Sequence, residues 1–152
     1  MKLLVRMLVI PILFLSFGIM SSCDDDEDKS PVIVTYTAVL NGTSEVPPNA
    51  STATANATMK FNDDTNVFTL TINYNGLTVT DAHIHKGAVG VDGPIVIPLE
   101  VSASPIIYTP AALTNEQEAD LKAGLYYVNL HSEAYPGGEI RGQLLPKGSG
   151  GY

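Results

Sequence analysis

In two runs between residues 53 and 74 the chain alternates between apolar and polar side chains. Ala53, Ala55, Ala57, Met59 and Phe61 fall on one parity, with Thr54, Asn56, Thr58 and Lys60 on the other. After the polar stretch Asn62-Asp63-Asp64-Thr65-Asn66 the pattern resumes as Phe68, Leu70, Ile72 and Tyr74 against Thr69, Thr71 and Asn73. Successive side chains of a strand point to opposite faces, so a period of two predicts strands with one buried face. Two such runs joined by a short polar turn predict a β-hairpin. A sheet with one apolar face must cover it with another layer, so this hairpin alone excludes an all-helical fold.

The same period recurs along the chain. Val34, Tyr36, Ala38 and Leu40 predict a strand that Gly42 ends, and Glu45-Val46-Pro47-Pro48 reads as a fixed loop or sheet edge. Asn75-Gly76 marks a turn. Asp81 to His85, Ile95-Val96-Ile97 and Ile106-Ile107-Tyr108 are short strands, and Leu125 to His131 and Glu139 to Leu145 close the series. One helix is expected. Thr114 caps it, Gln117 completes a capping box, Glu116, Glu118 and Asp120 suit its N-terminal end, and Gly124 stops it. Ala119, Leu121 and Leu125 are expected to dock it. The reading is all-β: an antiparallel β-sandwich of the immunoglobulin or superoxide dismutase-like kind, with Greek-key connections and one short helix.

The N-terminal region reads as a targeting segment. Lys2 and Arg6 precede an apolar run from Met7 to Met20, which is short for a spanning helix. Ser21 and Ser22 then precede Cys23, the only cysteine of the chain. This arrangement resembles a bacterial lipoprotein signal, which implies that residues 1–22 are removed and Cys23 is lipidated. A lone cysteine outside the cell cannot form an internal disulfide, and lipidation accounts for it. Asp24-Asp25-Asp26-Glu27-Asp28 is an extended, solvated tether over residues 23–31. Such an acidic run after a lipidated cysteine resembles an export tag for the outer face of a Gram-negative outer membrane. The expected location is therefore the cell surface, lipid-anchored at Cys23, rather than the periplasm. The domain would occupy residues 32–146, with residues 147–152 as a loose tail.

Charge and composition remove one class of partner. The formal net charge is −8, and loss of Lys2 and Arg6 with the leader takes it to −10. There is no basic cluster, so nucleic acid is not an expected partner.

All three histidines lie in two of the strand motifs, His83-Ile84-His85 and Tyr127-Val128-Asn129-Leu130-His131. Histidines at i and i+2 of a strand share a face, and a third from another strand can join them. Ala82 and Ile84 oppose Asp81, His83 and His85; Tyr126, Val128 and Leu130 oppose Tyr127, Asn129 and His131; Ile140 and Leu144 oppose Glu139, Arg141 and Gln143. If the apolar parities make the core, the histidines occupy an outer or loop-covered face. Two readings stand. Neutral imidazoles there can ligate copper or zinc. Alternatively they are hydrogen-bonding pegs that pin the Gly87–Gly93 and Pro136–Gly138 loops, with Asn129 and a Glu139–Arg141 ion pair assisting. Glu45, Asp92, Glu133 and Glu139 read as solvated loop charges, and no nucleophile motif is recognisable. Asn41-Gly42-Thr43, Asn49-Ala50-Ser51 and Asn56-Ala57-Thr58 match the N-glycosylation pattern but read as turn and strand sequence.

From Thr37 to Leu145 the chain resembles a chordin-type (CHRD) domain. The residues that carry the likeness are Leu40-Asn41-Gly42, Glu45-Val46-Pro47-Pro48, Ala82-His83-Ile84-His85, Gly93-Pro94, Leu113-Thr114, Gly124, the Tyr127–His131 motif and Gly138-Glu139-Ile140-Arg141-Gly142. The resemblance implies a secreted or surface β domain; taken with the leader and the acidic run, the expected function is a non-enzymatic binding or structural module at the cell envelope, with an unknown envelope or extracellular ligand. The order His-x-His, glycine loop, His-ended strand and Arg-bearing strand is also similar to copper–zinc superoxide dismutase. That likeness implies His83, His85 and His131 as three copper ligands, with Arg141 near the place of an anion-guiding arginine. No counterpart of the metal-bridging histidine lies between Lys86 and Leu99, and the zinc-only ligands and the disulfide are lacking.

Overall fold

The computed structural model describes residues 30–148. The leader, Cys23, most of the tether and most of the tail, on which the targeting and anchoring expectations rest, lie outside the described residues. Among the described residues, no helix is long and apolar enough to cross a membrane.

Nine strands form one antiparallel sheet. In chain order they are β1 (Ile33–Asn41), β2 (Thr54–Asn62), β3 (Val67–Asn75), β4 (Asp81–Lys86), β5 (Ile95–Pro98), β6 (Ile106–Tyr108), β7 (Tyr126–His131), β8 (Ile140–Gln143) and β9 (Leu145–Pro146), with α1 (Asn115–Lys122) between β6 and β7. The order across the sheet is β5-β4-β7-β8-β1-β2-β3-β6, with β9 also on β1. The expected hairpin is β2–β3, paired from Thr54↔Asn75 to Asn62↔Val67. Its turn closes with Asn66 at a φ of 58°, a conformation that asparagine tolerates better than most residues.

The two layers expected of a sandwich are present, but they are halves of one curled sheet. β8 meets β1 at Asn41↔Arg141, and β9 meets it at Thr37↔Leu145 and Tyr36↔Pro146. These pairs share one register, so residues 140–146 run along β1 and join the halves edge to edge. Gly142 permits that approach, because a Cβ there would lie 2.6 Å from the Val39 carbonyl oxygen. The apolar parities of both halves meet in a single core of Tyr36, Leu40, Met59, Phe61, Phe68, Leu70, Ile72, Ile84, Val128, Leu130 and Ile140 with their neighbours.

Helix α1 carries the expected capping box, in which the Thr114 hydroxyl accepts from the Gln117 amide and the Gln117 side chain accepts from the Thr114 amide. Leu121 docks it and is fully buried, whereas Ala119 is exposed, contrary to expectation. An eight-residue helix turns only a narrow stripe to the core, and Asp120 holds it down instead by an ion pair with Lys86 at 2.7 Å.

Candidate metal centre

β4 and β7 pair with Asp81 opposite His131, His83 opposite Asn129 and His85 opposite Tyr127. The pleat turns all six side chains to the face away from the apolar core. Asp81 at its edge is exposed and His83 is half-buried, but the rest of that face is closed to solvent. Every residue of β7 is buried, including Tyr127, Asn129 and His131. The loops between β1 and β2, β4 and β5, and β7 and β8 roof it with a polar layer.

His83, His85 and His131 converge there. One ring nitrogen of each lies within 4.8 Å of the others. Ring centroids are 4.9 Å apart for His83–His131, 5.5 Å for His83–His85 and 6.3 Å for His85–His131. The remaining nitrogens of two rings are tied to carbonyls: His85 Nδ1 to Gly93 O at 2.9 Å, and His131 Nδ1 to Pro136 O at 3.0 Å. A carbonyl only accepts, so each Nδ1 carries the hydrogen, and in the neutral ring Nε2 keeps its lone pair. His131 Nε2 faces His83 Nδ1 at 3.1 Å. His85 Nε2 is buried with no hydrogen-bond partner. Burial pushes the basicity of His83 and His85 down; His131 and His85 add to this at His83, while the Gly93 carbonyl opposes it at His85. Both rings are thereby held in the neutral form that binds metal.

This donor set suits a borderline metal ion. Nitrogen–metal bonds of about 2.0–2.1 Å require nitrogen separations of roughly 3–4 Å, which small ring rotations reach from the present triangle. The carbonyls that orient His85 and His131 are the outer partners metal-binding histidines need. The peg and ligand readings therefore do not compete: one nitrogen of each buried ring pins a loop, and the other faces the centre. His83 is the least buried of the three.

The wall beside His85 is an aromatic column. Tyr127 stacks on His85 with centroids 4.9 Å apart and planes 11° from parallel. The Arg141 guanidinium carbon lies 3.4 Å from the centroid of the same tyrosine ring. Tyr127 Oη donates to Asp92 Oδ1 at 2.9 Å and accepts from the Gly93 amide at 3.1 Å. Its hydrogen bond holds the Asp92 carboxyl below the usual range. Arg141 Nη2 donates to the carbonyls of Ala88 and Val91, and Gln143 Nε2 donates to those of Gly87 and Gly124.

Three expectations are corrected. Glu139 and Arg141 do not pair; the ion pairs among the described residues are those of Lys86 and Lys122. Glu139 Oε1 instead accepts from Ser51 Oγ at 2.6 Å, while Arg141 reaches across Tyr127 to the opposite loop. Arg141 is only 2% exposed, so it serves as a loop clasp and not as a guide at an open mouth. Glu45 and Glu139, read as solvated, are both buried. Asn129 donates to Glu45 Oε2 at 3.5 Å. Tyr127 was legible as a member of the Asn129–His131 parity and of the Tyr127–His131 motif, but not as a partner of His85 and Arg141. Two of the three glycosylation-like asparagines have structural work: Asn41 Oδ1 accepts from Ser44 N, Ser44 Oγ and Thr43 Oγ1, and Asn49 Nδ2 donates to the Gly138 and Glu139 carbonyls, whereas Asn56 is exposed on β2.

No curated protein and no solved structure matches the chain. A family model does: the CHRD domain, over residues 36–144, from β1 through β8 and including all three histidines, Glu45 and Arg141. The motifs that fold into the roofed polar face are those on which the likeness was read, and the chain belongs to the CHRD domain family.

Proposed function

We propose that this chain is a non-enzymatic binding module of the bacterial cell envelope, and that its ligand is a metal ion, copper before zinc, held by His83, His85 and His131. The observation that carries the reading is the convergence of three imidazoles, two of them with their tautomers preset. Two Nδ1 hydrogens are committed to carbonyls, and the buried Nε2 of His85 has no partner within the protein. A buried lone pair without a partner costs about 1–3 kcal/mol, and a bound ion removes that cost. Three nitrogens with an open position favour an exchangeable ion over a closed structural one. Titration of the purified, tag-free protein with Cu(II) and Zn(II) tests this. Binding at least about tenfold tighter than in the His83→Ala/His85→Ala/His131→Ala variant is expected. Equal binding in both proteins removes the metal reading.

The envelope placement rests on Cys23 and the acidic run that follows it. Lipidation of Cys23 would anchor the domain at the outer membrane, and residues 24–28 would hold it off the surface, facing outward. Metabolic labelling with a fatty acid should mark the wild type and not Cys23→Ala. Equal labelling of the two removes the anchor, whatever the metal titration returns.

A further inference from the structure

Beneath the β7–β8 loop lie two buried oxygens that have no hydrogen-bond donor, Glu45 Oε1 and Asn129 Oδ1. Both surround one point. A Cβ built on Gly138 would be 3.0 Å from Glu45 Oε1, 2.9 Å from Asn129 Oδ1 and 2.7 Å from Asn129 Nδ2. The other half of the contact is already satisfied, because Asn129 Nδ2 donates to Glu45 Oε2. An ionised carboxylate only accepts, and so does an amide oxygen, so ionised Glu45 would set two acceptors against each other without water. A single proton resolves both defects. We propose that Glu45 is a proton-binding site: as a carboxylic acid it donates from Oε1 to Asn129 Oδ1, closing a two-hydrogen-bond acid–amide pair that latches the β1–β2 loop onto β7.

The surroundings of the carboxyl act on it in both directions, and burial prevails. Burial of the carboxyl pushes it up to about 7, and Asp92 from the β4–β5 loop pushes the same way. Arg141 on β8, the Val46 amide and the Asn129 side chain act in the opposite direction, and burial outweighs them. The latch has two consequences. The loop it holds, through Val46 and Pro48, forms one wall of a cleft of about 760 Å³ that Val39, Val89 and Arg141 also line. Gly138, seated on the pair, belongs to the loop whose Pro136 carbonyl orients His131. Loss of the proton therefore loosens both the cleft wall and the support of His131. This inference deepens the metal reading but does not need a metal to be tested.

The sign of the pH dependence follows from linkage. The folded protein holds the proton up to about pH 7, whereas the unfolded chain releases it near the ordinary glutamate value of 4.5. The stabilisation is complete below the unfolded value and is lost as pH rises through about 7. The test uses chelator-treated protein. Carbon-13 NMR of the glutamate carboxyls, assigned through the backbone, should show the Glu45 carboxyl titrating near 7. Glu45→Gln carries a permanent donor in place of the acid. From pH 5 to pH 8 the wild-type Tm should fall by about 3 °C or more relative to this variant. A Glu45 carboxyl that titrates in the ordinary range, or parallel Tm profiles for the two proteins, overturns the latch. Should Glu45→Gln fail to fold, the NMR titration of the wild type decides alone. Neither measurement depends on copper or zinc, so failure of the latch and failure of the metal reading are separate results.

Discussion

β2 and β7 are both antiparallel strands in the same sheet, yet they are built on different rules. β2 alternates between buried and exposed positions along its length, with Thr54, Asn56, Thr58 and Lys60 in solvent. β7 is buried at all six positions, although Tyr127, Asn129 and His131 on one of its faces are polar or partly polar. One face of β2 meets the core and the other meets water. One face of β7 meets the core and the other meets three loops. The lesson is that polar parity in a strand does not mean exposure. Water satisfies the polar face of β2, whereas carbonyls, stacked rings and buried side chains must satisfy that of β7. A substitution on the second face therefore leaves a buried partner orphaned, and one on the first does not.

The largest expected effect sits on the face the two strands share. Phe61→Ala empties a fully buried site packed edge-to-face on Tyr36, and should cost about 3–5 kcal/mol by denaturant unfolding. Next comes the roofed face. Arg141→Ala strips the guanidinium from Tyr127 and leaves the Ala88 and Val91 carbonyls without that donor, a loss of about 2–3 kcal/mol. Gly138→Ala should cost about 2 kcal/mol, since its φ of 132° disfavours a side chain and its Cβ would press on Asn129. His131→Ala removes the peg to Pro136 and should cost about 1 kcal/mol in the metal-free protein. Thr58→Ala, on the open face of β2, should change stability by no more than about 0.5 kcal/mol. If Arg141→Ala proves as mild as Thr58→Ala, the distinction between the two polar faces fails. If Thr58→Ala proves costly, β2 has a covering that the isolated chain does not show.

Where the fold was legible, the signal was local. The β2–β3 hairpin, the Thr114–Gln117 capping box and the docking of Leu121 each depend on residues close in sequence. Ala119 is exposed because a short helix turns only a narrow stripe to the core, and Leu121 occupies it. The candidate site was legible as three histidines on one strand parity, but not as a chamber. Glu45 looked like loop charge because nothing near it in sequence hints at Asn129, 84 residues away. The Glu139–Arg141 pair belonged to the reading of the histidines as loop-pinning pegs. It fails because Ser51 and the β4–β5 carbonyls, both remote in sequence, compete for the two side chains and win.

By itself the sequence determined which residues form strands, which parity is apolar, where the one helix starts, and which family motifs the chain carries. Those properties follow from side-chain alternation, capping and turn chemistry, all within a few residues. Only the tertiary structure decided that His131 meets His83 and His85, that the loops bury the polar face, and that Glu45 comes to rest against Asn129. Those outcomes depend on strand register and on how loops fold back over the sheet, and on the cost of leaving a buried polar atom unpaired. No local pattern encodes that cost, because the partner that meets it comes from elsewhere in the chain.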